Sequence, residues 1–205
     1  MRSTVGLKAV MAVTGAVLLT FVVAHAVGDL KFFAGPKSFD GYAEWLRTIG
    51  SPVLGHGWYL WAQRAVLCAC AVGHLAAATA LTVRDRRARP VRYRHRPRAT
   101  TGYAARTMRW SGVIVGLFVV YRVLDVSTAA GHPYHHLAQG FRHWYVSAAY
   151  IAAVLAFGFH LRHGVHAAVR SLGGPGARTL AAATAVGVTA AFLAVPLAVV
   201  TGVTS

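Results

Sequence analysis

Apolar residues run almost without interruption through five stretches of the chain, and polar residues collect between the stretches rather than alternating within them. The stretches lie near residues 5–27, 56–83, 109–128, 143–169 and 179–201. Each is long enough to cross a bilayer, since about 20 helical residues at roughly 1.5 Å rise span a hydrocarbon core of about 30 Å. Composition agrees: 56% of residues are hydrophobic, 13% are charged and the mean hydropathy is +0.51. These values belong to a polytopic membrane protein rather than a soluble core. The pattern predicts an all-α membrane bundle of five transmembrane helices, in one membrane domain over residues 1–205. Its loops are too small for a separate catalytic module.

The connections have their own patterns. From Ser38, the residues Phe39, Tyr42, Ala43 and Leu46 share one helical face, which predicts a short amphipathic helix lying along the outer membrane surface with Trp45 at the interface. Pro90 and Pro97 break the third connection, and Gly173-Gly174-Pro175-Gly176 predicts a tight turn before the fifth span. The first stretch is too long and too weakly charged at its start for a cleaved signal, and Ala24-His25-Ala26 is a poor cleavage site. It is read as a retained helix.

Charge sets the expected orientation. Segment 84–109 holds ten arginines against Asp85 alone, and the 162–178 connection adds Arg162, Arg170 and Arg178. The 28–55 connection instead balances Lys31, Lys37 and Arg47 with Asp29, Asp40 and Glu44. Cytoplasmic loops are enriched in Lys and Arg, so the N-terminus is expected in the cytoplasm and the C-terminus outside, with 84–108 as the basic cytoplasmic loop. Most of the net charge of +16 is this topology signal. Segment 84–98 lacks the interleaved aromatic platform of a single-strand binder, so no nucleic-acid partner is expected; anionic lipid headgroups or an acidic subunit suit it better.

Among the eleven histidines, His25, His74 and His160 are set in apolar surroundings within these stretches, where an ionisable side chain marks a functional hypothesis. His74 and His160 each lie nine residues from the basic end of their spans, hence about 14 Å from the cytoplasmic edge. Two imidazoles at matched depth on different helices suit a six-coordinate haem, one axial nitrogen from each. Small neighbours leave room for a flat macrocycle: Gly73 beside His74, Gly158 and Gly164 around His160, and Gly112 with Gly116 as a G-x-x-x-G. The alternative is that each histidine bonds the backbone of a neighbouring helix.

His25 lies near the outer end of the first span, and Arg122 sits in the outer half of the third, where a fourth histidine would complete an outer pair. Guanidinium stays protonated and is no ordinary axial ligand. Arg122 has three readings: a pair with Asp125 at i+3, a contact to a haem propionate or a quinone oxygen, or a bystander to a haem whose second ligand is His132, His135, His136 or His143. The run Gly131-His132-Pro133-Tyr134-His135-His136 also resembles a surface metal site. Cys68 and Cys70 are the only cysteines. Two apart on a helix, they point nearly opposite ways and neither share one metal nor form a disulfide easily. Cys70 and His74, four apart, do share a face, which keeps a Rieske-like [2Fe-2S] cluster open beside the haem. Small core cysteines are the other reading.

The ordered segments His25-Ala26-Val27-Gly28-Asp29-Leu30, Phe33-Ala34-Gly35, Tyr42-Ala43, Arg106-Thr107-Met108-Arg109-Trp110-Ser111-Gly112, Phe118-Val119-Val120-Tyr121, Tyr150-Ile151 and Phe159-His160-Leu161-Arg162-His163-Gly164 resemble the five-helix cytochrome b membrane anchor of succinate dehydrogenase and fumarate reductase, respiratory complex II. The likeness covers nearly all of the chain before residue 172. It implies a multi-pass subunit of the cytoplasmic membrane that docks flavoprotein and iron-sulfur subunits and passes electrons between succinate and a quinone, as the non-dehydrogenase part of the complex. It also implies that His74 and His160 are axial ligands of the haem b nearer the cytoplasm. His25 would ligate an outer haem whose second ligand position is Arg122, so one haem is expected and the second is in question.

With five acidic residues and no flavin fingerprint, the chain is not expected to carry dicarboxylate chemistry. Quinone contacts are expected either among Arg109, Trp110, Ser111, His163 and His166 or among Asp29, Glu44, Arg64, Arg122 and Asp125. Snorkelling and interface anchoring explain the same residues one by one. An anchor without haem and an unrelated small carrier are the remaining functional readings.

Overall fold

The computed structural model describes residues 3–88, 100–127, 132–171 and 174–203. Among them all regular structure is helical: α1 (Thr4–Asp29), a 3-10 turn (Leu30–Ala34), α2 (Pro36–Thr48), α3 (Trp58–Arg87), α4 (Thr100–Ser127), α5 (Pro133–Arg142), α6 (Trp144–Ser171) and α7 (Ala177–Val200). Five of these, α1, α3, α4, α6 and α7, are long and apolar enough to cross a membrane, so the chain is a multi-pass membrane protein.

Helix ends depart from the apolar runs for a physical reason. The backbone ladder continues wherever residues favour it, and Arg and Ala are good helix formers, whereas hydropathy marks only the lipid slab. Thus α3 continues to Arg87, and α4 already begins at Thr100, so both ends of the expected basic loop 84–108 are helical. Residues 89–99 of that loop, Gly131 of the histidine run and Gly173 of the turn lie outside the described residues. The amphipathic helix expected from Ser38 is α2, which starts two residues earlier with Pro36 at its first position, where a missing N–H costs nothing. Gly35, with φ 87°, makes the reversal from the 3-10 turn into α2; a side chain there would be strained. One helix was not expected: α5, also opened by a proline, occupies the connection between the third and fourth spans.

The chain packs as two units, Met1–Val23 with Leu46–Ala99 and Ala24–Trp45 with Thr100–Ser205. In the first, the early turns of α1 meet α3. Gly73 faces α1, where a Cβ would make ordinary contact with Thr14 Cγ2 at 3.5 Å. Arg84 Nη1 donates to Thr4 Oγ1 at 3.3 Å.

In the second unit the core gathers Phe32, Phe141, Tyr150, Val154 and Val195. Phe32 stacks on Tyr134 at 4.4 Å and meets Phe39 edge-on at 6.1 Å. Asp40 on α2 accepts the Tyr134 N–H at 2.9 Å, so the start of α5 is tied to α2 by a charge-assisted bond. The α5–α6 break is held by Ser147, whose buried hydroxyl donates to the Phe141 carbonyl at 2.6 Å. Helix α6 packs on α7 through small buried positions, Ala181, Ala185 and Gly158 among them, which permit the close approach that lipid-embedded helices rely on. Pro196 lies inside α7, a site tolerated where neighbouring helices cover the freed backbone.

Candidate functional site

Each of the two inner histidines stands against a hydroxyl on another helix of its own unit. In the first unit His74, on α3, places Nδ1 3.2 Å from Thr14 Oγ1 on α1. In the second unit His160, on α6, places Nδ1 3.4 Å from Ser111 Oγ on α4. The next residue is glycine in both cases. A Cβ at Gly15 would lie 3.3 Å from His74 Cε1 and 3.5 Å from Nδ1; at Gly112 it would lie 3.4 Å from His160 Cε1 and 3.7 Å from Nδ1. At Gly15 the absent side chain leaves room for the His74 ring, whereas at Gly112 a methyl would make only ordinary contact with His160. Both histidines are half-buried, as an imidazole serving a cofactor at a helix face would be.

Among the glycines expected to make room, Gly112 faces His160, Gly164 faces Met108 Cε with a Cβ distance of 3.5 Å, and Gly158 faces Thr189. Gly116, the other half of the G-x-x-x-G, faces open space. Thr14 and Gly15 were missed by sequence reasoning. The hydroxyl-glycine dipeptide of Thr14-Gly15 and Ser111-Gly112 recurs at Thr101-Gly102 and Thr201-Gly202, so it did not single them out.

The outer residues are arranged differently. His25 is half-exposed, with Nε2 3.9 Å from Asp29 Oδ1 one turn on, and its ring lies 5.9 Å from that of Phe192. Arg122 forms an ion pair with Asp125, the first of its three readings, and its guanidinium also lies 5.8 Å from the Tyr150 ring centre. The second carboxylate oxygen of Asp125 meets His136 Nε2 at 3.1 Å. One carboxylate therefore bridges a guanidinium and an imidazole, each only a quarter to a third exposed. This network lines a cavity of about 180 Å³ together with Tyr121, His143 and Tyr150.

The expected quinone contacts have partners of several kinds. At the basic end Arg109 and Trp110 are exposed, Ser111 is buried against His160, and His163 bonds the Phe159 carbonyl of its own helix at 2.8 Å. His166 instead lines a cleft of about 350 Å³ at the α6–α7 turn with Arg170 and Arg178. In the other group Asp29 meets His25 and Asp125 meets Arg122, while Arg64, in the first unit, lies over the Trp61 ring at 5.2 Å. Cys68 and Cys70 are free thiols, Cys68 exposed. Among the described residues no three His, Cys, Asp or Glu side chains gather into a metal-holding set; His132 and His135 approach edge-on at 6.4 Å.

The donor chemistry at His74 and at His160 fits an axial imidazole, since Nδ1 of each ring is set against a hydroxyl. Arg122, a guanidinium engaged by the Asp125 carboxylate, does not fit an axial ligand. No family model matches the chain, and no curated protein and no solved structure matches it either.

Proposed function

We propose that this chain is the membrane-anchoring cytochrome b subunit of a succinate:quinone oxidoreductase, with one b-type haem ligated by His74 and His160. The observation that carries the reading is the matched setting of these two histidines, each with Nδ1 against a helix hydroxyl and a glycine beside the ring. A metal-ligating histidine typically uses its second ring nitrogen in this way, which fixes orientation and raises ligand basicity.

The haem supplies one-electron transfer between an iron-sulfur subunit and membrane quinone. The chain's own residues do the rest. His74 and His160 would hold the haem, Gly15 leaves room beside the His74 ring, and the apolar faces of the spans would exclude water. His25 ligates nothing in this reading. The Arg122–Asp125–His136 network keeps a buried cation neutralised at the outer end. The basic connections lie in the cytoplasm, which puts the N-terminus inside, the C-terminus outside and the chain in the cytoplasmic membrane. Flavoprotein and iron-sulfur subunits dock on that face. Succinate oxidation belongs to the flavoprotein, because five acidic residues spread along the chain make no dicarboxylate site.

Affinity purification of the full chain from its native membranes tests the reading. Flavin and iron-sulfur signals that copurify, with succinate-dependent quinone reduction, are expected. A chain that purifies alone, or with partners lacking both cofactors, overturns it.

A further inference from the structure

We infer that Thr14 and Ser111 are positioning residues that fix the tautomer of His74 and His160, holding the proton on Nδ1 so that Nε2 presents its lone pair. The functional value of that tautomer rests on the haem reading above; the tautomer itself does not.

The inference follows from counting protons. A neutral imidazole carries one N–H, and the partner of each nitrogen decides where it sits. A hydroxyl has one proton to give and two lone pairs. Thr14 Oγ1 lies 2.7 Å from the Val10 carbonyl and 3.3 Å from that of Met11. Carbonyls only accept, so the hydroxyl proton goes to Val10, the back-bonding habit of helical threonine. What Thr14 then offers His74 is a lone pair, and at 3.2 Å Nδ1 must be the donor. At the other site Ser111 Oγ donates to the Met108 carbonyl at 3.1 Å, which leaves a lone pair for His160 Nδ1 at 3.4 Å. The same logic thus operates twice, in two separate units, with the same dipeptide chemistry.

This arrangement has a direct consequence for ligation. Iron takes an unprotonated nitrogen. An imidazole in the Nε2–H form must first move its proton, and one with no acceptor at Nδ1 is a poorer electron donor to iron. Loss of the hydroxyl lone pair is expected to weaken haem binding by roughly ten- to a hundredfold, the usual effect of removing the hydrogen-bond partner of a ligating histidine. It is also expected to raise the midpoint potential, because a less basic ligand stabilises ferric iron less.

The full chain, labelled with ¹⁵N-histidine and freed of haem in bilayers, tests the tautomer itself, with His74 and His160 signals assigned by their loss in His74→Gln and His160→Gln. Protonated Nδ1 and unprotonated Nε2 are expected at both. Thr14→Val, which keeps the shape and removes the hydroxyl, is expected to shift His74 toward the Nε2–H form, and Thr14→Ser to restore it; Ser111→Ala and Ser111→Thr form the corresponding pair for His160. In the complete complex, redox titration is expected to show a higher potential for Thr14→Val and a return with Thr14→Ser. Nε2–H rings in the unsubstituted chain overturn the inference, and so does a tautomer unchanged by Thr14→Val and Ser111→Ala. If the native complex holds no haem, the functional reading falls while the nitrogen spectrum still decides the tautomer.

Discussion

Asp125→Asn removes the one carboxylate that bridges Arg122 and His136, and its cost can be worked from the surroundings. Both members of the ion pair are about a quarter exposed, in a segment long and apolar enough to lie in lipid. Unit charges in contact attract by about 4 kcal/mol at an effective dielectric constant of about 20. An unpaired arginine at the centre of a membrane helix costs about 2.5–3.5 kcal/mol on insertion scales. The Tyr150 ring beneath the guanidinium returns about 0.5–1 kcal/mol of this. A net loss of about 2 kcal/mol is expected, which on the scale of domains of this size lowers Tm by about 4–8 °C. Arg122→Leu should cost less, since Asp125 keeps His136. The combined Arg122→Leu/Asp125→Asn chain should recover to within about 1 kcal/mol, because replacing both charges avoids an uncompensated one. Thermal unfolding of the four chains in one detergent gives the cycle directly. A Tm unchanged by Asp125→Asn, or a double substitution worse than the sum of the singles, refutes charge compensation as the role of this pair.

Four further outcomes follow. Gly15→Ala places a methyl 3.3 Å from His74 Cε1, tighter than the ring accepts without moving, whereas Gly112→Ala reaches only ordinary contact with His160; haem content should fall in the first and hold in the second, read by pyridine haemochrome assay. Phe32→Ala empties a site 1% exposed beneath Tyr134 and Phe39 and should cost about 3–5 kcal/mol, seen as a fall in Tm. Ser147→Ala leaves the Phe141 carbonyl without its hydroxyl donor and should cost about 1–2 kcal/mol, with faster proteolysis at the α5–α6 break. His25→Ala should leave the haem count unchanged, measured as haem per chain.

The spans were legible because lipid imposes a simple rule: some twenty apolar residues in succession. Helix α2 was legible because Phe39, Tyr42, Ala43 and Leu46 repeat at helical spacing. Helix α5 carried the same kind of signal, with Tyr134, Leu137, Ala138 and Phe141 on one face after Pro133, but its run of polar histidines reads as an interfacial loop. The Arg122–Asp125 pair could be read locally because i+3 neighbours share a helix face. His136, eleven residues from Asp125 and on another helix, could not. Nor could the bonds of Thr14 and Ser111, since periodicity shows which face a residue occupies and not which ring stands across from it.

The central claim is a single haem held by His74 and His160. A reduced-minus-oxidised spectrum of the purified complex, with haem counted per chain, tests it most directly. One b-type α band at one haem per chain is expected, abolished by His74→Ala and by His160→Ala. A complex without that band, or a band that survives both substitutions, contradicts the account.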